Sequence, residues 1–314
     1  MELSDAIDAF LCSCRFSKNL SNLTISAYRC DLEQFRRFAG QRGAQTAAAV
    51  SGELIQGFVA HLKGEQRCLD SSIRRKVAVL KSFVKHLEIN GHLAINPFSK
   101  IRMTFRHDRR LPKVLSREQI KAMLETAKID CNAHNSRSRD FVVRRNYALL
   151  ELLFYSGARI GEILRLDSRD LDQNFEFVTL KGKGRKERIV HIGCKPVVDA
   201  IKSYLAARRR LDTGVSALFL NARGNRLTAY SAESIVRTCA KAACIAVRVT
   251  PHMFRHTMAT MMLENGADLR SIQEILGHAS ISTTEIYTHV SAAQKRQVMR
   301  AFHPRVQFGR CRFA

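Results

Sequence analysis

A chain of 314 residues with 46% hydrophobic composition is long enough for about two domains, each with a core of its own. Its 52 Lys and Arg against 28 Asp and Glu leave a formal net charge of +24, which argues against an enzyme of small metabolites and suits displacement of counterions from a phosphate backbone. No apolar run reaches the roughly 18 residues of a membrane span, and the start Met1-Glu2-Leu3-Ser4-Asp5 lacks the basic-then-apolar pattern of a signal peptide, so a cytoplasmic protein without membrane contact is expected.

In chain order, residues 1–98 read as helices only. Ala6-Ile7, Phe10-Leu11 and Phe16 give a first short apolar stripe. Thr24, Tyr28, Leu32, Phe35 and Phe38 recur at spacings of three and four, which predicts a helix over 23–41 ended by Gly40 and Gly43. Leu54-Ile55, Phe58-Val59 and Leu62 mark a third helix. A fourth is predicted over 73–89, with Val77, Leu80, Phe83 and Leu87 inward and Arg74, Arg75, Lys76, Lys81 and Lys85 on its surface. That basic face fits phosphate contacts on duplex DNA, and it equally fits a solvated helix surface. Gly91 and Asn96-Pro97 close the unit.

Ser99 to Lys113 is read as a linker, because it carries Lys100, Arg102, Arg106, Arg109, Arg110 and Lys113 with almost no core pattern. The second domain, 114–314, opens at Leu115-Ser116, where Ser116 and Gln119 fit a capping box. Asn132 to Ser138 is a predicted polar loop, and Asn146 to Tyr155 is apolar enough for a buried helix. Phe175 to Leu180 and Arg188 to Ile192 are predicted strands on either side of a Gly-Lys-Gly turn. Helices are expected again over 231–246 and from Phe254 onward, so the fold class is mainly α with one small antiparallel sheet. Nine cysteines, Cys12, Cys14, Cys30, Cys68, Cys131, Cys194, Cys239, Cys244 and Cys311, include no Cys-x-x-Cys pair and read as free, mostly buried thiols.

The second domain holds the chemistry-bearing phrases. Ser156-Gly157-Ala158-Arg159 sets an Arg after a tight turn and before Ile160-Gly161-Glu162-Ile163-Leu164. Thr250-Pro251-His252-Met253-Phe254-Arg255 puts a His and an Arg one helical turn apart behind a helix-starting Pro. His252 and His256, at i and i+4, have a zinc-ligand spacing, but Met253 stands where a zincin carries Glu, so no metal is expected and His256 is read as structural or as pointing to the backbone. Leu269, Ile272, Ile275 and Leu276 form an apolar stripe that Gly277 ends in the left-handed conformation, which fixes His278 at a turn. Ser282 to Glu285 fits another capping box and places Tyr287 in the first turns of the next helix. A tyrosine with its ordinary pKa of about 10 needs a base or a positive pocket before it attacks, and the neighbouring Arg and His residues supply one. On the turn Lys181-Gly182-Lys183-Gly184-Arg185-Lys186, spacing alone leaves Lys181, Lys183 and Lys186 in competition.

Taken together, the ordered series Arg159, Lys183, His252-x-x-Arg255, Gly277-His278 and Tyr287 resembles the tyrosine recombinases, the family of phage integrases and Xer-type recombinases. Thr24-x-x-x-Tyr28-x-x-Asp31-Leu32-x-x-Phe35 resembles the same family's helical core-binding (SAM-like) domain. The resemblance spans nearly the whole chain, and all six catalytic positions hold the expected residue type. One departure is the loop around Cys131 to Ser138, which reads as longer than in compact members.

By this resemblance Tyr287 is the nucleophile, Arg159 and Arg255 clamp the non-bridging phosphate oxygens, and His278 donates a hydrogen bond to the phosphate. His252 is a proton-transfer group. The phrase Gly-Lys-Gly-x-Lys-x-Arg selects Lys183 as general acid on the leaving 5′ oxygen, with Lys181, Arg185 and Lys186 as DNA contacts. The reaction implied is cleavage and rejoining of DNA through a 3′-phosphotyrosyl link, without ATP, metal or other cofactor. The partner implied is a double-stranded recombination site held in a two-domain C-shaped clamp, with a homo-tetramer in the synaptic complex. The segment from His303 to Ala314, with Phe308 and Phe313 beside Arg305, Arg310 and Arg312, is either a tail that docks in trans on a neighbouring protomer or a frayed terminus. Two rival functions stand beside this one. A type IB topoisomerase-like enzyme shares the chemistry and acts without paired sites, and a DNA-binding regulator forms no covalent adduct.

Overall fold

A computed structural model describes residues 1–103, 113–132, 137–182, 187–211, 214–277 and 292–308. The chain forms two compact units, residues 1–110 and 111–314, each with its own hydrophobic core. None of the described helices is long and apolar enough to cross a membrane.

Four helices build the first unit: α1 (Leu3–Phe16), α2 (Asn22–Gly40), α3 (Gly52–Gly64) and α4 (Asp70–Ile89). Ser21 and Ser51 cap α2 and α3 by accepting from backbone N–H groups three residues on, which satisfies donors left over in the first turn. Aromatic rings from all four helices meet in the core, with Phe10 against Phe83 and Phe35 against Phe58 in edge-to-face contact. Two details differ from the periodicity. Phe16 is exposed, because the first helix ends there and its apolar face has already been filled by Phe10, Leu11 and Cys14. α4 begins three residues before the predicted Ile73, at Asp70.

The stretch read as a linker also differs. A short turn spans Pro97–Lys100, and Ile101 and Met103 pack against the first unit's core. A side chain on Gly52 would meet the Ile101 Cδ1 at 3.4 Å, so this stretch lies directly on α3. Its apolar residues give it a packing site that a count of charges does not reveal.

In the second unit, α5 (Arg117–Asn132) starts from the expected capping box: Gln119 N–H donates to Ser116 Oγ, and Ser116 N–H donates to Gln119 Oε1. The long helix α6 (Arg137–Ser156) runs through the core, packed against α5, α8 (Lys195–Arg209) and α10 (Pro251–Glu264). α5 reaches Asn132 and α6 starts at Arg137, so both helices extend into the predicted loop of Asn132 to Ser138, whose residues 133–136 lie outside the described residues. Between α6 and α8 lie α7 (Ile160–Leu164), β1 (Phe177–Lys181) and β2 (Glu187–His191). The strands pair antiparallel in the register Phe177↔His191 to Lys181↔Glu187. The first strand starts two residues later than predicted, because Phe175 has φ +60 and its N–H closes a turn on Asp172.

The remaining helices are α9 (Ala229–Ala242), α11 (Leu269–Leu276), α12 (Ala292–Phe302) and α13 (Pro304–Gln307). α9 is displaced towards the N-terminus of the predicted 231–246 and is capped by Thr228. None of the described cysteines is in a disulfide, and only Cys14 and Cys194 among them are buried, so the expectation of mostly buried thiols fails.

The end of the chain, as far as Phe308, neither frays nor reaches outward. Arg305 donates to both carboxylate oxygens of the fully buried Glu151 on α6, at 2.8 and 2.7 Å. Phe308 stacks on Phe154 with ring centroids 5.8 Å apart. His303 is fully buried, and its Nδ1 accepts from the Arg305 N–H. This part of the predicted trans tail is therefore seated on its own domain; Arg310, Arg312 and Phe313 lie outside the described residues.

Candidate active site

Three chain segments converge in the second unit, each for a local reason. α6 ends at Ser156, whose Oγ donates to Leu152 O and accepts from the Ala158 N–H. Gly157 then turns the chain with φ +56, and a Cβ there would stand 2.7 Å from Leu276 Cδ2 and Met258 Cε. Only glycine meets both demands, the left-handed backbone and the close approach. Arg159 follows as the N-cap of α7, and Glu162 Oε2 accepts its backbone N–H at 3.0 Å.

The second segment is α10, which starts at Pro251 after Thr250. Arg255 is buried one turn in; its Nη1 donates to Gly157 O at 2.8 Å and its Nη2 to Leu276 O at 2.9 Å. One guanidinium thus ties the Arg159 turn to the end of α11, the third segment. Gly277 ends α11 in the left-handed conformation, φ 67 and ψ 49, as its position after the apolar stripe predicts.

Glu162, only 3% exposed, is the carboxylate at the centre. Arg159 Nη1 donates to its Oε1 at 3.0 Å, and Arg188 Nη2, from the start of β2, donates to its Oε2 at 2.8 Å. Burial alone would raise the Glu162 pKa, but the hydrogen bond and charge of Arg188, with the hydrogen bonds of Arg159, hold it down at about 2. Burial, followed by the repulsion of Arg159 and Arg188, lowers Arg255 to about 10, which leaves it charged at neutral pH. Three guanidiniums against one carboxylate leave a local surplus of positive charge.

The expected residues fall into three groups. Arg159 and Arg255 are brought together, with the Arg159 side chain 45% exposed beside its buried neighbour. His252 shares α10 with Arg255 but stands exposed, and His256 is exposed too, which does not fit a packed structural role. Among the described residues no group of three His, Cys, Asp or Glu is placed to hold a metal ion. Lys183, Arg185, Lys186, His278 and Tyr287 lie outside the described residues. Lys181, read as a DNA contact, is held at 2.7 Å by Asp170 from the short turn that precedes β1.

On α4 of the first unit, Arg75 and Lys76 both bind the buried Asp31 on α2, Lys76 at 2.9 Å, and Lys76 also donates to Gln34. Lys81 is exposed with its Nζ over the Phe98 ring, and Arg74 is half-buried. The structure adds Glu162 and Arg188 to the residues that the sequence singles out. Both have a local signal: a Glu at the third helical position is the reaching half of a capping box, and Arg188 is the closing Arg of the phrase Gly-Lys-Gly-x-Lys-x-Arg.

The phage integrase family pattern matches residues 113–294, and that of the phage integrase N-terminal SAM-like domain matches residues 7–91. Tyrosine recombinase XerC of Thermodesulfovibrio yellowstonii is 36% identical over 306 residues, covering 95% of this chain and 96% of its own. Tyrosine recombinase XerD of Staphylococcus epidermidis is 35% identical over 306 residues, covering 96% of this chain and all of its own. In fold, the chain resembles the solved structure of XerH site-specific recombinase bound to difH substrate, with a TM-score of 0.68 at 22% identity over 87% of this chain and 79% of that one. The chain belongs to the phage integrase family of tyrosine recombinases and is a site-specific recombinase, an enzyme that breaks and rejoins DNA.

Proposed function

We propose that this recombinase cuts duplex DNA by attack of Tyr287 on a scissile phosphate, forming a 3′-phosphotyrosyl link and releasing a 5′-hydroxyl. Arg159 and Arg255 neutralise the non-bridging oxygens, a task that a planar, permanently charged fork performs without metal. His278 adds a hydrogen bond there, His252 moves a proton, and Lys183 protonates the leaving oxygen. Because the phosphotyrosyl bond conserves the phosphodiester, rejoining needs no ATP. Residues 1–98 and 114–314 act as two DNA-binding domains joined by a basic linker, 99–113, with Arg74, Lys81, Arg185 and Lys186 on the backbone, while Arg75 and Lys76, paired to Asp31, and Lys181, paired to Asp170, add positive potential to the same surfaces. They work in the cytoplasm as four protomers on two sites.

The observation that carries this reading is the surplus of positive charge at one turn. Arg255 bridges Gly157 O and Leu276 O, which sets the Arg159 turn beside the residue that precedes Gly277-His278. A buried guanidinium beside a half-exposed one, sharing a single carboxylate with a third, favours a bound anion over solvent.

The test uses the full-length chain and a library of random-sequence duplexes. Wild-type protein is expected to capture DNA in a denaturant-stable adduct that leaves a free 5′-hydroxyl, and Tyr287→Phe is expected to bind DNA but capture none. No wild-type adduct, or an equal adduct with Tyr287→Phe, overturns the proposal.

A further inference from the structure

Arg188 occupies an unusual place for a surface-strand residue. It stands at the start of β2, where the neighbouring Ile189 is exposed, yet its own side chain is only 16% exposed. Its Nη2 donates to Glu162 Oε2 at 2.8 Å, and its Nε is buried with no hydrogen-bond partner among the described residues. A Cβ at Gly277 would meet Arg188 Cδ at 3.1 Å and Nη1 at 3.3 Å, so the arginine stem lies against the left-handed turn before His278.

One negative charge is therefore shared. Glu162 holds Arg159 through Oε1 and Arg188 through Oε2, and the carboxylate has no solvent to fall back on. With Arg188 absent, Arg159 would be the sole direct ion-pair partner of a buried carboxylate three residues away on the same helical turn. The attraction would rise and draw the guanidinium inward, away from any phosphate.

We propose that Arg188 is a positioning residue of the recombination site: it occupies one oxygen of Glu162 so that Arg159 keeps a free edge for the scissile phosphate, and it backs the Gly277 turn that carries His278. This rests on the reading of Arg159 as a phosphate clamp. A residue that acts through a charge balance has a signature that a merely structural one lacks. Removing the opposing charge compensates for its loss, whereas two independent structural defects accumulate.

The experiment measures single-turnover cleavage by full-length protein of a nicked duplex carrying the site captured on wild type. Arg188→Ala is expected to slow cleavage about 10–100-fold, the range typical of partners that orient an active-site group, with DNA affinity within about threefold of wild type. Adding Glu162→Gln to Arg188→Ala is expected to recover most of that loss. Arg188→Lys, which keeps the charge without the fork, is expected to fall between. Wild-type cleavage by Arg188→Ala, or a double variant as slow as the product of the two single losses, overturns the assignment. Should Arg188→Ala fail to fold by thermal melting, the cycle with Arg188→Lys and Glu162→Gln decides the same question. A wild-type chain that captures no DNA overturns the Tyr287 reading instead, so the two failures are distinguishable.

Discussion

Each unit of this protein buries a carboxylate and surrounds it with cations, but the two arrangements do different things. In the first unit Asp31 on α2 holds Arg75 and Lys76, consecutive residues of one helix, so the ion pairs fasten α4 to α2. The positive surplus there is solvated, because the Arg75 side chain is 52% exposed. In the second unit Glu162 holds arginines from two separate elements, and a third, Arg255, is buried on backbone carbonyls nearby. That surplus cannot be screened by water to the same degree. Similar residue types thus give a structural fastening in one unit and an anion-receiving centre in the other. Burial of the surplus, and not the number of cations, makes the difference.

The comparison is attacked hardest at the arginines. Arg159→Ala is expected to cut the single-turnover cleavage rate by roughly 10²–10³, the cost of removing one preorganised donor from developing charge, with little change in melting temperature. Arg255→Ala should lose at least as much rate and also melt earlier, because Gly157 O and Leu276 O lose their shared donor. Equal melting of the two variants would argue against Arg255 as the tie between segments.

Asp31→Asn is expected to behave the opposite way, losing stability more than rate. Lys76, 12% exposed, would be left beside a neutral amide, and Arg75 can turn to solvent. A loss on the order of 2 kcal/mol in urea unfolding follows, below the figure for a fully buried pair because one partner is half-exposed. A cleavage defect as large as that of Arg159→Ala would erase the distinction between the units.

Acid provides a third probe. His303 is fully buried, and burial lowers its pKa to about 3 against an ordinary 6.5. The unfolded chain therefore takes up a proton that the folded one refuses, so stability should fall as pH drops from about 6.5 towards 3. Between pH 7 and 5 the loss is on the order of 1–2 kcal/mol in the second unit, and His303→Gln should remove most of it. A pH profile unchanged by that variant would show that His303 is not the group responsible.

The smallest effect is expected at Lys81. It is exposed over the Phe98 ring, and Lys81→Ala should weaken DNA binding evenly across sequences and lower the salt dependence by about one counterion. An unchanged salt slope would make the α4 face a solvated surface.

Local rules account for what could be read early. The Ser116–Gln119 box, the antiparallel pairing of two strands on either side of Gly182 and the left-handed Gly277 are each encoded within a few residues, and each is present, with the strand ends shifted by one or two residues. Where structure and pattern differ, the cause is local too. Phe16 continues an apolar stripe whose buried part ends before it, and the charges of 99–113 mask the packing of Ile101 and Met103. The cations of α4 looked alike in sequence, although Arg75 and Lys76 are committed to Asp31 and Lys81 is not.

By itself, then, the sequence determined the fold class, the family and the order of the chemistry-bearing residues, because helix period, caps, turn glycines and motif spacing act over a handful of positions. Tertiary structure decided which charges meet. Arg75 finds Asp31 across 44 residues, Arg255 finds Gly157 across 98, and Arg305 finds Glu151 across 154. No local pattern carries such pairings, since an arginine has the same helix preference and the same charge whether it ends in solvent, on a carbonyl or against a buried carboxylate. Only packing, by removing water from Glu162, Arg255 and Arg188 together, makes those contacts strong enough to set the site.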